Sequence, residues 1–269
     1  LKIRLNRPFP AEAIAQALKG VKAVAVMDRA EGYTNHGGPL GADVMAALKW
    51  VLERWEEFDI RIVNLSFGAS CEEKDADYKR LLLLVEQVWE AGVCVVGAAG
   101  NLGPGKSTVT LPGCSSRIIT VGASEAGKFA NRYSGRGPGR GGSMKPDVVA
   151  PAGNIRSLMP LRYGMRGGNA YFTGRYGGAM GVLPNGQAWE RMLSEERMRR
   201  RLLISGYAVK SGTSMSTPMV SGAACLLLQK EPRLSPEEIK GRLWDSAVDL
   251  GLPEEQQGKG MLDLRRLLF

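Results

Sequence analysis

The residues best placed for chemistry lie in Gly212-Thr213-Ser214-Met215-Ser216-Thr217-Pro218. This stretch runs straight into Met219-Val220-Ser221-Gly222-Ala223-Ala224-Cys225-Leu226-Leu227-Leu228, so a short polar turn opens onto an apolar helix. Ser214 then stands at a helix start, where unpaired backbone N–H groups point outward and the dipole favours negative charge. That setting suits a hydroxyl that attacks a carbonyl and generates an oxyanion. Pro218 falls in the first turn, where a missing N–H is tolerated. Ser221, Gly222, Ala223 and Ala224 are small enough to let the helix pack closely on a sheet. The plain alternative is a capped core helix, because Ser and Thr are common N-caps.

A serine hydroxyl is a poor nucleophile at neutral pH, and needs a base in reach and an acid to orient that base. The chain has one histidine, His36, in Asn35-His36-Gly37-Gly38-Pro39. Upstream, Val24-Ala25-Val26-Met27-Asp28 reads as a buried strand ending in a carboxylate. An oxyanion needs a donor, and Ala98-Ala99-Gly100-Asn101 supplies an amide side chain just past the apolar run Val93–Ala99. Gly-Asn is also a common turn pair.

The elements that must position these groups alternate. Residues 1–5 and 22–27 read as strands, 11–19 as a helix stopped by Gly20, and Val44 to Trp55 as a helix with an apolar stripe. A strand follows over Asp59–Gly68, an amphipathic helix over Tyr78–Ala91, and strands over Val93–Ala99 and Ile118–Ala123. Ser235, with Pro236 and Glu238 after it, reads as an N-cap with a capping box. The expected fold class is α/β, a mainly parallel sheet flanked by helices, in one domain over 1–269.

Composition bounds the partners. The chain has 269 residues, long enough for one large α/β core, and a formal net charge of +9. Residues 128–201 hold 14 Lys and Arg against 4 Asp and Glu, so the positive charge is concentrated there. No nucleic-acid fold signature accompanies it, and a solvated basic face is the expectation. No apolar run is long enough to span a bilayer, so no membrane partner is expected. Cys71, Cys94, Cys114 and Cys225 lack metal-like spacing. Cys71 and Cys114 could pair, but free thiols, a reducing compartment and a cytoplasmic location are expected. The chain opens on Leu1 rather than Met, as a processed product or fragment would, and a monomer is expected.

From about Asp43 to the end, the chain resembles the subtilisin-like serine proteases. Gly212–Pro218 resembles their nucleophile turn, Ala98–Asn101 their oxyanion segment, and Asn64-Leu65-Ser66-Phe67-Gly68 the strand whose Ser-x-Gly end lines the substrate channel. Lys145-Pro146-Asp147-Val148-Val149-Ala150-Pro151 resembles a further family segment near the cleft, and Gly258-Lys259-Gly260 the closing Gly-x-Gly turn. The resemblance implies peptide or protein substrates and hydrolysis through an acyl-enzyme at Ser214. Asn101 would be the oxyanion donor, and Ser66, Phe67, Gly68 and Gly100 would bind substrate. Losing one oxyanion donor costs on the order of 10²–10³ in turnover, a magnitude known from subtilisin rather than from this chain. No cofactor is implied; the family admits structural calcium, for which no ligand set is identified. Residues 157–206 exceed the family's usual length between these segments and read as an insertion, with a Gly- and aromatic-rich stretch at 164–186 and a charged helix at 188–203.

The first 45 or so residues have another resemblance, to part of the α chain of pyruvate:ferredoxin oxidoreductases. It rests on Leu-Lys-Ile-Arg-Leu-Asn-Arg-Pro-Phe-Pro, Val-Lys-Ala-Val-Ala-Val-Met-Asp-Arg and Gly-Gly-Pro-Leu-Gly-Ala-Asp-Val. No cysteine cluster follows for iron–sulfur ligation, so that activity is not carried over. Residues 1–42 are thus an atypical β-α-β segment before the body.

The family's Asp-x-Gly and His-Gly-Thr-His motifs are both missing. In one reading Asp28 and His36 replace the acid and base. Only 27 residues then separate His36 from Val63, where the family needs a helix, a strand and a second helix. In the preferred reading, strand 22–27 replaces the family strand before the helix at 44–55. Asn6 then stands in the acid's place, and the histidine helix has no histidine. Two functions remain open: a serine endopeptidase, or an inactive subtilase-like module such as a pseudoenzyme, peptide-binding domain or chimeric fragment.

Overall fold

Buried apolar runs become neighbouring strands of one sheet. The computed structural model describes residues 23–26, 39–69, 76–124, 133–158 and 207–269. Strands β1 (Ala23–Val26), β2 (Ile62–Leu65), β3 (Cys94–Ala98), β4 (Ile119–Ala123) and β5 (Val148–Ala150) pair in chain order, every pair parallel. All residues of β2 to β5 are buried, as a parallel sheet covered on both faces requires. The expected α/β class is the observed one.

Helix α1 (Pro39–Arg54) links β1 to β2, and α2 (Ala76–Glu90) links β2 to β3. The two pack on each other, as right-handed crossovers between successive neighbouring strands dictate. Helix α1 starts five residues before the expected Val44, with Pro39 at its first position, where proline costs no hydrogen bond. Strand β2 is shorter than the expected 59–68. Asp59 has φ 51° and Ile60 N–H closes back onto Trp55 O at 2.8 Å, so residues 59–61 belong to the turn leaving α1.

Helix α3 (Thr213–Lys230) packs across β2 to β5 through Val220, Ala223, Ala224 and Leu227, all essentially inaccessible. Of the expected small residues, Ser221, Ala223 and Ala224 are buried, whereas Gly222 is exposed with open space beside it, because four consecutive residues go all the way round a helix. Beyond it come α4 (Pro236–Ser246), α5 (Glu254–Gln257) and α6 (Leu264–Leu268). The capping box on α4 forms as expected: Ser235 Oγ accepts from Glu238 N–H at 3.3 Å, and Ser235 N–H donates to Glu238 Oε2 at 2.8 Å.

The Lys145–Pro151 segment ties β5 to α4 through buried charge. Lys145, 1% exposed, donates from Nζ to Asp147 Oδ2 at 2.5 Å and to Ile118 O at 2.9 Å. Lys240 of α4 reaches Asp147 Oδ1 at 3.2 Å and Arg117 O at 2.8 Å. Thr120 N–H completes the carboxylate's shell at 2.7 Å from Oδ2. Burial lowers the Lys145 pKa to about 8, with Asp147 opposing the shift and the neighbouring Lys240 adding to it.

A second compact unit, Gly153–Ser211, contains the antiparallel pair β6 (Ile155–Leu158) and β7 (Tyr207–Lys210). Asn154 N–H donates to Ser211 Oγ at 2.8 Å beside that pair. The stretches expected at 1–5, 11–19, 164–186 and 188–203 lie outside the described residues.

Candidate active site

In register, β2 and β3 lie side by side, Leu65 opposite Gly97, so the loops at their C-terminal ends emerge together. One loop is Ser66-Phe67-Gly68 and the other Ala99-Gly100-Asn101. A Cβ built on Gly68 would lie 3.7 Å from Gly100 Cα, which places these expected substrate-binding residues in direct apposition. Ser66 is buried, Phe67 half-buried and Gly68 exposed.

The start of α3 meets the second loop. Its N-cap is Gly212, which brings no capping side chain. Instead Thr213 N–H donates to Asn101 Oδ1 at 3.0 Å, and Thr213 Oγ1 donates to the same oxygen at 3.2 Å. Thr213 Oγ1 in turn accepts from Gly100 N–H at 3.1 Å. Asn101 Oδ1 is thus used twice as an acceptor, which fixes the other end of the amide as the donor. That Nδ2 lies 3.2 Å from where a Gly212 Cβ would be, and Asn101 is exposed.

Ser214, the second residue of α3, is partly exposed, and no other described residue hydrogen-bonds its N–H or Oγ. The free N–H sits at the positive end of the helix dipole. Ser214 N–H and Asn101 Nδ2 are two donors at one accessible corner, suited to an oxygen gaining negative charge. Thr213 belongs to the Gly212–Pro218 turn, but sequence reasoning gave it no role; its hydroxyl and N–H lock the loop to the helix.

Thr110 is the other residue that sequence reasoning missed. It is 6% exposed, and its Oγ1 has no partner among the described residues. Its backbone N–H donates to Ala99 O at 3.0 Å, which sets its side chain against both channel glycines. A Cβ on Gly100 would lie 2.2 Å from Thr110 Oγ1, and one on Gly68 2.4 Å. Gly100 also has φ +90°, so both space and backbone demand glycine there.

Asp28 and His36 lie outside the described residues, as does Cys71. Among the described residues, no group of three or more His, Cys, Asp and Glu could hold a metal, and no helix is long and apolar enough to cross a membrane. Cys94 and Cys225 are free thiols whose pKa values burial pushes up, which removes thiolate character from both.

Comparison with known proteins bears on the family and the fold. The model of the subtilase family matches residues 17–261, beginning ahead of the Asp43 at which the motif resemblance starts. Serine protease AprX of Bacillus subtilis (strain 168) is 33% identical over 210 residues, 74% of this chain and 41% of AprX. The halolysin-like extracellular serine protease Nep of Natrialba magadii is 25% identical, over 84% of this chain and 31% of Nep. Subtilisin DY of Bacillus licheniformis is 24% identical, over 82% and 60% respectively. The chain therefore spans less than two thirds of each of these relatives. Among solved structures, sphericase aligns with a TM-score of 0.56 at 22% identity, over 82% of this chain and 63% of sphericase. The S41 psychrophilic protease aligns at 0.58 and 19%, over 88% and 65%. These likenesses establish a shared fold, and the family match over most of the length establishes the lineage: the chain belongs to the subtilase family.

Proposed function

We propose that this chain is the body of a serine endopeptidase that hydrolyses peptide bonds through an acyl-enzyme at Ser214. The observation that carries the reading is the doubly used Asn101 Oδ1, which leaves Nδ2 to donate beside the open Ser214 N–H. In the reaction Ser214 Oγ attacks the scissile carbonyl and its proton passes to a base. The two donors hold the resulting oxyanion, the leaving amine takes the proton, and water then hydrolyses the acyl-enzyme. The substrate backbone would run along Ser66–Gly68 and Gly100. The base in this reading is His36, oriented by Asp28, or a group outside this chain.

One observation favours a second reading, a peptide-binding module without efficient turnover. Between Pro39 and β2 the chain forms a single helix and no strand, where the family needs a helix, a strand and a second helix after its histidine. Labelling with a fluorophosphonate probe separates the two. Labelling and peptide hydrolysis that vanish in S214A support the protease. Peptide binding with no labelling of folded protein supports the module. Oxyanion stabilisation and binding alone retain about 10³–10⁴ over water in subtilisin, so slow turnover that survives H36A would show catalysis without that base.

A further inference from the structure

Strand β2 carries a polar residue in a fully buried position. Asn64 is 2% exposed, between Val63 and Leu65. Side chains at i and i+2 share a face of a strand, so Asn64 and Ser66 point the same way, toward α3. Asn64 Nδ2 donates to Ser66 Oγ at 2.6 Å, and Asn64 Oδ1 accepts from Ser221 Oγ at 2.8 Å. The bridge survives an amide flip, because each serine hydroxyl can donate or accept.

Ser221 lies seven residues after Ser214, two turns along the same helix face. Between them, Ser221 Oγ also approaches Thr217 O at 3.2 Å, and Thr217 Oγ1 donates to Thr213 O at 2.7 Å. Thr213 holds Gly100 and Asn101, as described. A continuous polar row therefore runs from the channel strand through Asn64 to the helix that presents the nucleophile, and back to the oxyanion loop.

We infer that Asn64 is a positioning residue: it fixes the substrate channel at Ser66–Gly68 relative to Ser214. Ser66 Oγ is buried and turned toward Asn64 in this bridge, so Ser66 offers its backbone rather than its hydroxyl to the substrate channel. The inference rests on the proposed protease reading for its effect on rate, but the coupling itself does not. Without Asn64, two buried hydroxyls lose their shared partner and the strand end is free to shift against α3.

The test compares a probe that does not use the channel with one that does. In N64L and S221A, hydrolysis of a tetrapeptide substrate should fall at least tenfold, chiefly in kcat, while fluorophosphonate labelling of Ser214 stays within about threefold. S221T, which keeps the hydroxyl, should restore most of the peptide rate. Equal losses with both probes, or an unchanged peptide rate, would overturn the inference. If wild type neither labels nor cleaves, the protease reading fails, and amide hydrogen exchange decides the coupling instead. Exchange at Ser66–Gly68 and Thr213–Ser216 should then rise together at least tenfold in N64L, with Val148–Ala150 unchanged. A uniform rise, or none, would sink it. Where N64L does not fold, S221A carries the same comparisons.

Discussion

Two helices of this chain begin in opposite ways. Helix α4 is sealed: Ser235 and Glu238 satisfy each other's backbone N–H groups, and Pro236 needs no partner. Helix α3 is left open: Gly212 brings no cap, Thr213 N–H is held from outside by Asn101, and Ser214 N–H has no partner among the described residues. A sealed start contributes to folding, whereas an open one keeps its dipole and its donors for a ligand. The difference teaches where this sequence forgoes local stability. It does so at a helix start where the half-exposed Ser214 hydroxyl has no partner among the described residues.

The largest expected effect comes from crowding the loop that holds the open start. G100A forces a side chain onto φ +90° and into Thr110, and should destabilise the fold by roughly 3–5 kcal/mol in urea unfolding. Adding T110G should return the steric part and leave the backbone part. A mild effect of G100A alone would mean that the loop yields and that the lock through Thr213 is loose.

Next is the donor itself. N101A should lower peptide turnover on the order of 10²–10³, about 2.7–4 kcal/mol in the barrier, while Tm moves by only a few degrees. A large loss of stability with unchanged turnover would reverse the contrast and make the open start a structural feature.

The sealed helix supplies a pH-dependent control, because its Lys240 joins Lys145 on Asp147. The Lys145 pKa is lowered from 10.5 to about 8, chiefly by burial, so between these values the unfolded chain binds more protons than the native one. Stability from this group should therefore rise as pH increases from about 8 to 10.5, by at most about 3 kcal/mol. The difference in urea unfolding between wild type and K145M across that window should carry this slope, because the buried thiols Cys94 and Cys225 titrate alike in both. A difference of the opposite sign would mean that the attraction to Asp147 outweighs desolvation.

The smallest effect sharpens the comparison most cleanly. S235A should cost about 1 kcal/mol of stability and leave Ser214 labelling unchanged, since it unseals a start that meets no substrate. A change in labelling would show that the two helix starts are coupled.

Much of the fold was readable along the chain because local patterns report local structure. The apolar runs at 93–99 and 118–123 can only be buried strands, and Ser235-Pro236-Glu237-Glu238 contains its own capping box. Ser214 and Asn101 stood out as candidates because each lies in a short contiguous pattern. Boundaries were less visible. Helix α1 starts at Pro39 because proline is tolerated there, which apolar periodicity beginning at Val44 does not report. Asn64 gave a faint signal, a polar residue inside an apolar strand, which burial makes intolerable without partners. Nothing local names those partners, and Ser221 is 157 positions away. Thr110 gave no signal at all, since a threonine after a valine is ordinary strand sequence.

The sequence by itself determined the lineage, the Gly212–Pro218 turn and Asn101 as candidates, and the strands that carry them. The tertiary structure alone decided which end of the Asn101 amide is the donor, why Gly100 must be glycine, and how β2 is tied to α3. The reason is physical. Helical turns, caps and buried strands are fixed by neighbours within a few residues. The direction of the Asn101 hydrogen bonds is fixed by Thr213, 112 residues away and 3.0 Å distant once the sheet and α3 close on each other, and the space for a Gly100 Cβ by Thr110, across a loop that no local pattern reports.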